Sequence, residues 1–207
     1  TKSEITVIAI DPSDASSTTF FIGTKDKGLY KSSDNGTTFQ LLDNGLPAHH
    51  IMSLALSPKF TQDHTMIATN WREAAFISSD GGDTWVQFNK GLTTDEQADT
   101  VKYLSPHFRQ VKITSHDSQT MFIAAFTGLF KSANGGHSWT ELETRPVKLI
   151  KGLAVSPNQN STFNVAITTY GGGAYISHDH GKTWVIGNKG LKTTRLSDIK
   201  FAPTSSN

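Results

Sequence analysis

Apolar and polar residues alternate along this chain in short runs, and the runs come in sets of four. ITVIAI at 5–10 opens the first set, followed by TTFFIGT (18–24), GLYKS (28–32) and TFQLL (38–42). Alternation with a period of two predicts strands with one buried face, and the Gly, Asp, Asn and Pro residues between the runs predict turns. The second set reads IMSLALSP, TMIAT, AAFIS and TWVQF, and the third VKITS, TMFIAAF, GLFKS and SWTEL. The fourth reads LIKGLAVSP, FNVAITT, GAYIS and TWVIG. No stretch carries a helical period of useful length. TTDEQADT at 93–100 is expected to form one turn at most.

The sets are copies of one unit. SSDNGTTF (32–39) recurs as SSDGGDTW (78–85), SANGGHSW (132–139) and SHDHGKTW (177–184). The leading serines stand at 32, 78, 132 and 177, so the spacings are 46, 54 and 45. Four strands in a repeat of that size predict a propeller blade. The expected fold is therefore all-β, a β-propeller with blades at 5–46, 47–92, 110–146 and 147–191 and an inserted loop at 93–109. LSDIKFAP (196–203) matches the first strand of each blade and predicts the start of a fifth. Five first strands against four of each other kind point to part of a larger ring of six to eight blades. Two chains completing one ring, or four blades closed by the extra strand, are the alternatives.

Each position of the repeated octet has a local reason. Asp or Asn next to Gly, two residues after Ser, is turn chemistry: the side-chain oxygen accepts backbone N–H bonds and Gly takes a positive φ. The closing aromatic is expected to point into an apolar layer. The pattern covers Ser32, Asp34, Gly36 and Phe39, then Ser78, Asp80, Gly82 and Trp85. It continues with Ser132, Asn134, Gly136 and Trp139, then Ser177, Asp179, Gly181 and Trp184. It resembles the Asp box, or bacterial neuraminidase repeat, of sialidase-like propellers. That resemblance implies a structural hairpin turn between the third and fourth strands of each blade, away from any ligand site. Asn134 agrees, because an amide can replace an acid in a turn but not in acid chemistry.

Bulk properties narrow the field. Of 207 residues, 36% are hydrophobic and 10% aromatic, and the formal charge is +1. Nothing in that balance calls for nucleic acid or a membrane surface. With no cysteine there is no disulfide framework and no thiolate metal site. No apolar run approaches the ~20 residues that span a bilayer. Thr1 is not an initiator Met, and a processed or excised segment is expected. The family resemblance implies a secreted, periplasmic or cell-surface protein.

With the boxes on one face, a ligand site is expected on the other, among the second-to-third strand loops and the blade-to-blade links. Those loops hold Lys25, Trp71, Arg72, Glu73, Phe126 and Tyr170; the links hold His49, His50, Tyr103, Arg109, Arg145 and Arg195. Lys25, Trp71 and Tyr170 each stand seven residues before a box serine. All four arginines of the chain fall on this face, which suits an anionic partner. His178-Asp179-His180 lies inside a box turn, and no metal or other cofactor site is predicted.

Two functions remain in view. The GT-x-x-GLY-x-S-x-D-x-G-x-T-W texture is similar to xyloglucanase-type glycoside hydrolases, which work through two carboxylates. Asp26, Glu73, Asp95, Glu96 and Asp99 are the acids on the appropriate face, and nothing in the sequence pairs them. Sialidase signatures are partial: Phe108-Arg109-Gln110-Val111 keeps two of four letters of that family's start motif. GLYKSSDNGTTF and GLFKSANGGHSW also resemble photosystem II assembly-factor propellers. The favoured expectation is a non-catalytic propeller holding a protein or glycan partner. A glycoside hydrolase with part of its site outside this chain is the alternative.

Overall fold

A computed structural model describes residues 2–14, 18–71, 74–92, 107–115, 117–143, 149–156 and 162–202. Sixteen strands form four antiparallel sheets, each a four-stranded meander in chain order. The first holds β1 (Ile5–Ile10), β2 (Phe20–Thr24), β3 (Leu29–Ser32) and β4 (Gln40–Leu42). The second holds β5 (Ile51–Leu56), β6 (Met66–Asn70), β7 (Ala75–Ser78) and β8 (Val86–Gln87). The third holds β9 (Phe108–Ile113), β10 (Met121–Ala125), β11 (Leu129–Ser132) and β12 (Thr140–Leu142). The fourth holds β13 (Ile150–Val155), β14 (Val165–Thr169), β15 (Gly173–Ser177) and β16 (Val185–Ile186). These are the four expected blades, packed in sequence with first strands β1, β5, β9 and β13 side by side.

Blades two and three bury both pleat faces, because alternate residues serve different neighbours. Phe21, Leu29 and Leu42 of blade one meet Leu54, Met66, Ala68 and Phe76 of blade two. Ile67, Ala75 and Ile77 on the other face of blade two meet Met121, Ile123 and Phe130 of blade three. Phe122, Ala124 and Leu129 repeat the arrangement against Val165, Ile167 and Tyr175 of blade four.

The octets form the turns between third and fourth strands, and their bonding is copied from blade to blade. In the first, Ser32 Oγ donates to Asp34 Oδ1 at 2.9 Å and accepts the Gly36 N–H at 2.9 Å. Asp34 then accepts the Thr38 N–H at 2.9 Å and the Thr38 hydroxyl at 2.6 Å. The same four bonds hold Ser78, Asp80, Gly82 and Thr84, and Ser177, Asp179, Gly181 and Thr183. In the third turn the last bond reverses, with Asn134 Nδ2 donating to Ser138 Oγ at 2.9 Å. The acid's role here is hydrogen-bond acceptance, as Asn134 suggests.

The box aromatic precedes its short fourth strand and packs toward the blade before it. Trp85 belongs to the core of the first joint and Trp139 to that of the second. Their backbone N–H groups donate to Asn44 O and Lys90 O, both at 2.9 Å, which ties each box to the preceding link.

Three expectations change. A single helical turn, α1 (Phe60–Asp63), follows β5, where none is expected; residues 93–100 lie outside the described set. β9 starts at Phe108, so Arg109 stands on a first strand and not in the inserted loop. Residues 196–202 form no strand, although they run beside β13, with Asp198 accepting a bond from Gln110 Nε2 at 3.1 Å. Among the described residues no second strand pairs with it, so it joins no ladder there.

Replacing Trp85 by Ala should cost ~3 to 5 kcal/mol in urea unfolding, as expected for deleting a buried aromatic. Half-exposed Phe39 should cost far less. Hydrogen bonds from Thr38 lower the Asp34 carboxyl to about 2 from an ordinary 3.8. Its contribution to stability is therefore present above the ordinary value and lost as pH falls through about 2. Asp34→Asn should remove that part of the acid limb of a stability–pH profile.

Candidate functional site: a row of rings and cations on the loop face

In an up-and-down sheet the second-to-third loops and the links share the edge opposite the boxes. The last residue of each second strand fastens its loop. Thr24 N–H donates to Gly28 O at 3.0 Å, Asn70 N–H to Ala74 O at 3.3 Å and Ala125 N–H to Gly128 O at 2.9 Å. Side chains add to this: Asn70 Oδ1 accepts the Ala74 N–H, and Thr169 Oγ1 accepts the Gly172 N–H, both at 3.0 Å.

The residue leaving the second strand is Lys25, Trp71, Phe126 or Tyr170 in turn. Counting back from the serine misses Phe126, because its loop is one residue shorter. Three of these residues are pinned by one backbone bond to the residue before their own first strand. Lys25 donates to Glu4 O, Trp71 to His50 O and Tyr170 to Leu149 O, at 3.0, 3.1 and 3.1 Å.

First strands carry the second half of the pattern. Each has a register shift near its start, between Ile5 and Val7, Ile51 and Ser53, and Ile150 and Gly152. In β9 the partners step from Gln110 to Phe108. The skipped residues are Thr6, Met52, Lys151 and Arg109, and a bulge of this kind re-aims a side chain. Arg109 and Lys151 use it to reach the rings of two adjacent blades. The Arg109 guanidinium lies 5.0 Å from the Trp71 ring centre and 4.2 Å from that of Phe126. Lys151 Nζ lies 5.6 Å from Phe126 and 5.5 Å from Tyr170. Arg195, bridged to Tyr170 through the backbone, stands 5.3 Å from its ring.

The result is one alternating row: Trp71, Arg109, Phe126, Lys151, Tyr170, Arg195. Two histidines flank its start. His50 stacks on Trp71 at 5.6 Å, and His107 meets Trp71 edge-on at 5.2 Å and Phe126 at 5.7 Å. Each cation–ring contact contributes ~0.5 to 2 kcal/mol, more as water is excluded. Burial lowers the Arg109 pKa from its ordinary value, yet a guanidinium stays charged. His50 is also held low, first by burial and then by the Lys25 charge, with Glu4 pulling the other way. Three buried polar atoms beside the row lack a hydrogen-bond partner among the described residues: His107 Nδ1, Arg109 Nε and Thr127 Oγ1.

Of the residues singled out in the sequence, Trp71, Arg109, Phe126, Tyr170 and Arg195 come together. Lys25 shares their face but pairs with Glu4 at 3.0 Å, an exposed ion pair of small energetic weight. Arg72, Glu73, Tyr103 and Arg145 lie outside the described residues. Sequence reading overlooked Lys151, whose match to Arg109 in β9 is set by the register shifts and leaves no trace in the alternation of β13. Asp26, one of the acids considered for catalysis, accepts a bond from the Ser3 hydroxyl. The histidines of the fourth box are engaged too, His178 with Asn164 at 3.0 Å and His180 stacked on Phe163 at 4.3 Å. Among the described residues no cluster of His, Asp and Glu could hold a metal, and no helix is long and apolar enough to cross a membrane.

Comparison with known proteins places this geometry on a shared scaffold. The BNR/Asp-box repeat family matches residues 175–185. No curated protein sequence matches the chain. Among solved structures, an ancestral GH74 enzyme superposes with a TM-score of 0.68 at 21% identity over 93% of this chain and 26% of that one. YCF48 bound to D1 peptide gives 0.67 at 15% identity, covering 97% and 60%. The GH74 xyloglucanase from Xanthomonas campestris gives 0.65 at 16% identity, covering 92% and 31%. The chain thus has a β-propeller fold with a BNR/Asp-box repeat matched at residues 175–185, and its structural neighbours include both enzymes and a peptide-bound protein. It spans between about a quarter and three fifths of their lengths.

Lys25→Gln should raise the His50 pKa toward its ordinary value, because the Lys25 charge holds it down. An NMR pH titration of the imidazole reads this directly. An unmoved or lowered midpoint would contradict the placement of His50 beside Lys25.

Proposed function

We propose that this chain is a non-catalytic binding propeller that holds a protein or glycan partner carrying negative charge along the row from Trp71 to Arg195. The alternation of rings with cations carries the reading. Rings offer flat apolar surface for a sugar face or an apolar side chain, and the cations between them offer matched sites for carboxylates. A row in which one backbone position supplies a ring three times and another a cation twice suits an extended partner better than a compact one. Unpartnered polar atoms at His107, Arg109 and Thr127 are groups a ligand or bridging water would satisfy. A peptide is present in one structural neighbour, YCF48 bound to D1 peptide, which favours a protein partner without naming one for this chain. A secreted, periplasmic or cell-surface setting belongs to the same proposal.

Catalysis by a carboxylate pair is the competing reading, favoured by the likeness to GH74 enzymes. Against it, the described acids of this face have other duties: Glu4 pairs with Lys25 and Asp26 takes the Ser3 hydroxyl.

The test is calorimetric titration with three probes: a polyglutamate peptide, an oligogalacturonate and a neutral xyloglucan oligosaccharide. At least one anionic probe should bind, and its affinity should fall as salt rises. Arg109→Gln should weaken that affinity about tenfold by removing a charge-assisted bond, and Tyr170→Ala should weaken it with an unchanged melting temperature. Binding confined to the neutral oligosaccharide, with new reducing ends released, would replace this reading by the hydrolase.

A further inference from the structure

The three cations of the row have rings against them but no acid beside them. Among the described residues the one ion pair is Lys25–Glu4 in blade one, and Arg109, Lys151 and Arg195 have no carboxylate partner. Each ring, in turn, already lies against two groups. Trp71 has His50 stacked at 5.6 Å and Arg109 at 5.0 Å. Phe126 has Arg109 at 4.2 Å and Lys151 at 5.6 Å, and Tyr170 has Lys151 at 5.5 Å and Arg195 at 5.3 Å. The rings therefore hold the cations at fixed places, and they leave less face for a sugar to stack on than three bare rings would. Charge is what remains to meet a partner: a guanidinium, an ammonium and a second guanidinium.

Their order along the row suits a polypeptide. Arg109 and Lys151 share the Phe126 ring, and Lys151 and Arg195 share Tyr170, so neighbouring charges stand one ring apart. Carboxylates at alternate residues of an extended chain lie on one face about 7 Å apart and can match that step. Acids at adjacent residues point to opposite faces and cannot.

A leucine marks the middle of the path. Leu149 stands between Phe126 and Tyr170 in the backbone bonding: its N–H donates to Phe126 O at 2.9 Å, and its O accepts the Tyr170 N–H at 3.1 Å. These bonds hold it at φ +64°, which a leucine resists, and its side chain is 42% exposed. Backbone strain of this kind persists where the surrounding fold fixes it, and it gathers at binding sites. An apolar side chain kept in solvent among charges offers contact to the methylenes of a partner's acidic residues.

We infer that the row takes an extended acidic segment of a protein, with carboxylates at alternate residues set on Arg109, Lys151 and Arg195 and its backbone passing over Leu149. This rests on the row being a binding site, and it selects the protein over the glycan as partner.

Calorimetric titration with two isomeric peptides tests it. One is built of four Glu-Ser repeats, with every carboxylate at an alternate position. The other is built of two Glu-Glu-Ser-Ser repeats, with the same composition and charge but never two carboxylates two residues apart. The alternating peptide should bind about fivefold tighter, the gain from one more charge contact. Lys151→Gln should remove that difference, because Arg109 and Arg195 then face a four-residue step that both peptides contain. Leu149→Gly should weaken the alternating peptide with little change in melting temperature, since glycine accepts the positive φ. Isomers that bind alike, both weakened by Arg109→Gln, would overturn the inference and leave the row an anion site without sequence preference. An oligogalacturonate that binds more tightly than either peptide would overturn it in favour of a glycan. A preference that survives Lys151→Gln, or a Leu149→Gly variant that binds unchanged, would overturn the placement of the segment. Absence of binding by every anionic probe would remove the binding site itself.

Discussion

Everything in this fold depends on burying a pleated sheet on both faces with strands of two to six residues. A single four-stranded blade cannot do that alone, so its second face must be covered by the next blade. The box turn solves the geometric part of the problem. Its serine, almost wholly buried in every copy, locks the chain reversal through Asp or Asn and releases the aromatic at one fixed point. That aromatic then closes the joint with the blade before it. Ser32, Ser78, Ser132 and Ser177 are therefore less about polarity than about where the next ring lands.

The same repetition assembles the candidate site on the opposite edge. A bulge near the start of each first strand aims one residue at the loop face, and the end of each second strand aims another. Blades two to four fill the second place with a ring, and blades three and four fill the bulge with a cation. Blade one has Thr6 and Lys25 there, and Thr6 instead donates to Ile51 O at 2.5 Å. The row therefore begins at Trp71. Neither half of the pattern requires a long loop, so the site rests on the rigid part of the scaffold.

Much of the architecture was legible because box, strand and turn recur with little variation. All sixteen strands fall where alternation places them, within a few residues at the ends. The site was legible only in part. Trp71, Phe126 and Tyr170 could be assigned to one face, since loop edges follow from strand order. Lys151 could not, because LIKGLAV reads as a plain alternating strand and the register shift at its start leaves no local trace. Arg109 reads as a loop residue for the same reason. Its strand gains Phe108 and Arg109 only by packing between Trp71 and Phe126. The short turn at Phe60–Asp63 is likewise tertiary, held by Phe60 against Phe21 at 5.7 Å.

The central claim is that this protein meets its partner on the edge opposite the boxes. Amide chemical-shift mapping during titration with a binding partner examines that claim across the whole molecule at once. Shifts should gather at residues 25–28, 50, 71, 107–109, 126–128, 149–151, 170–172 and 195, while the turns at 32–39, 78–85, 132–139 and 177–184 stay unmoved. Shifts concentrated in those turns, with the row from Trp71 to Arg195 unaffected, would contradict it.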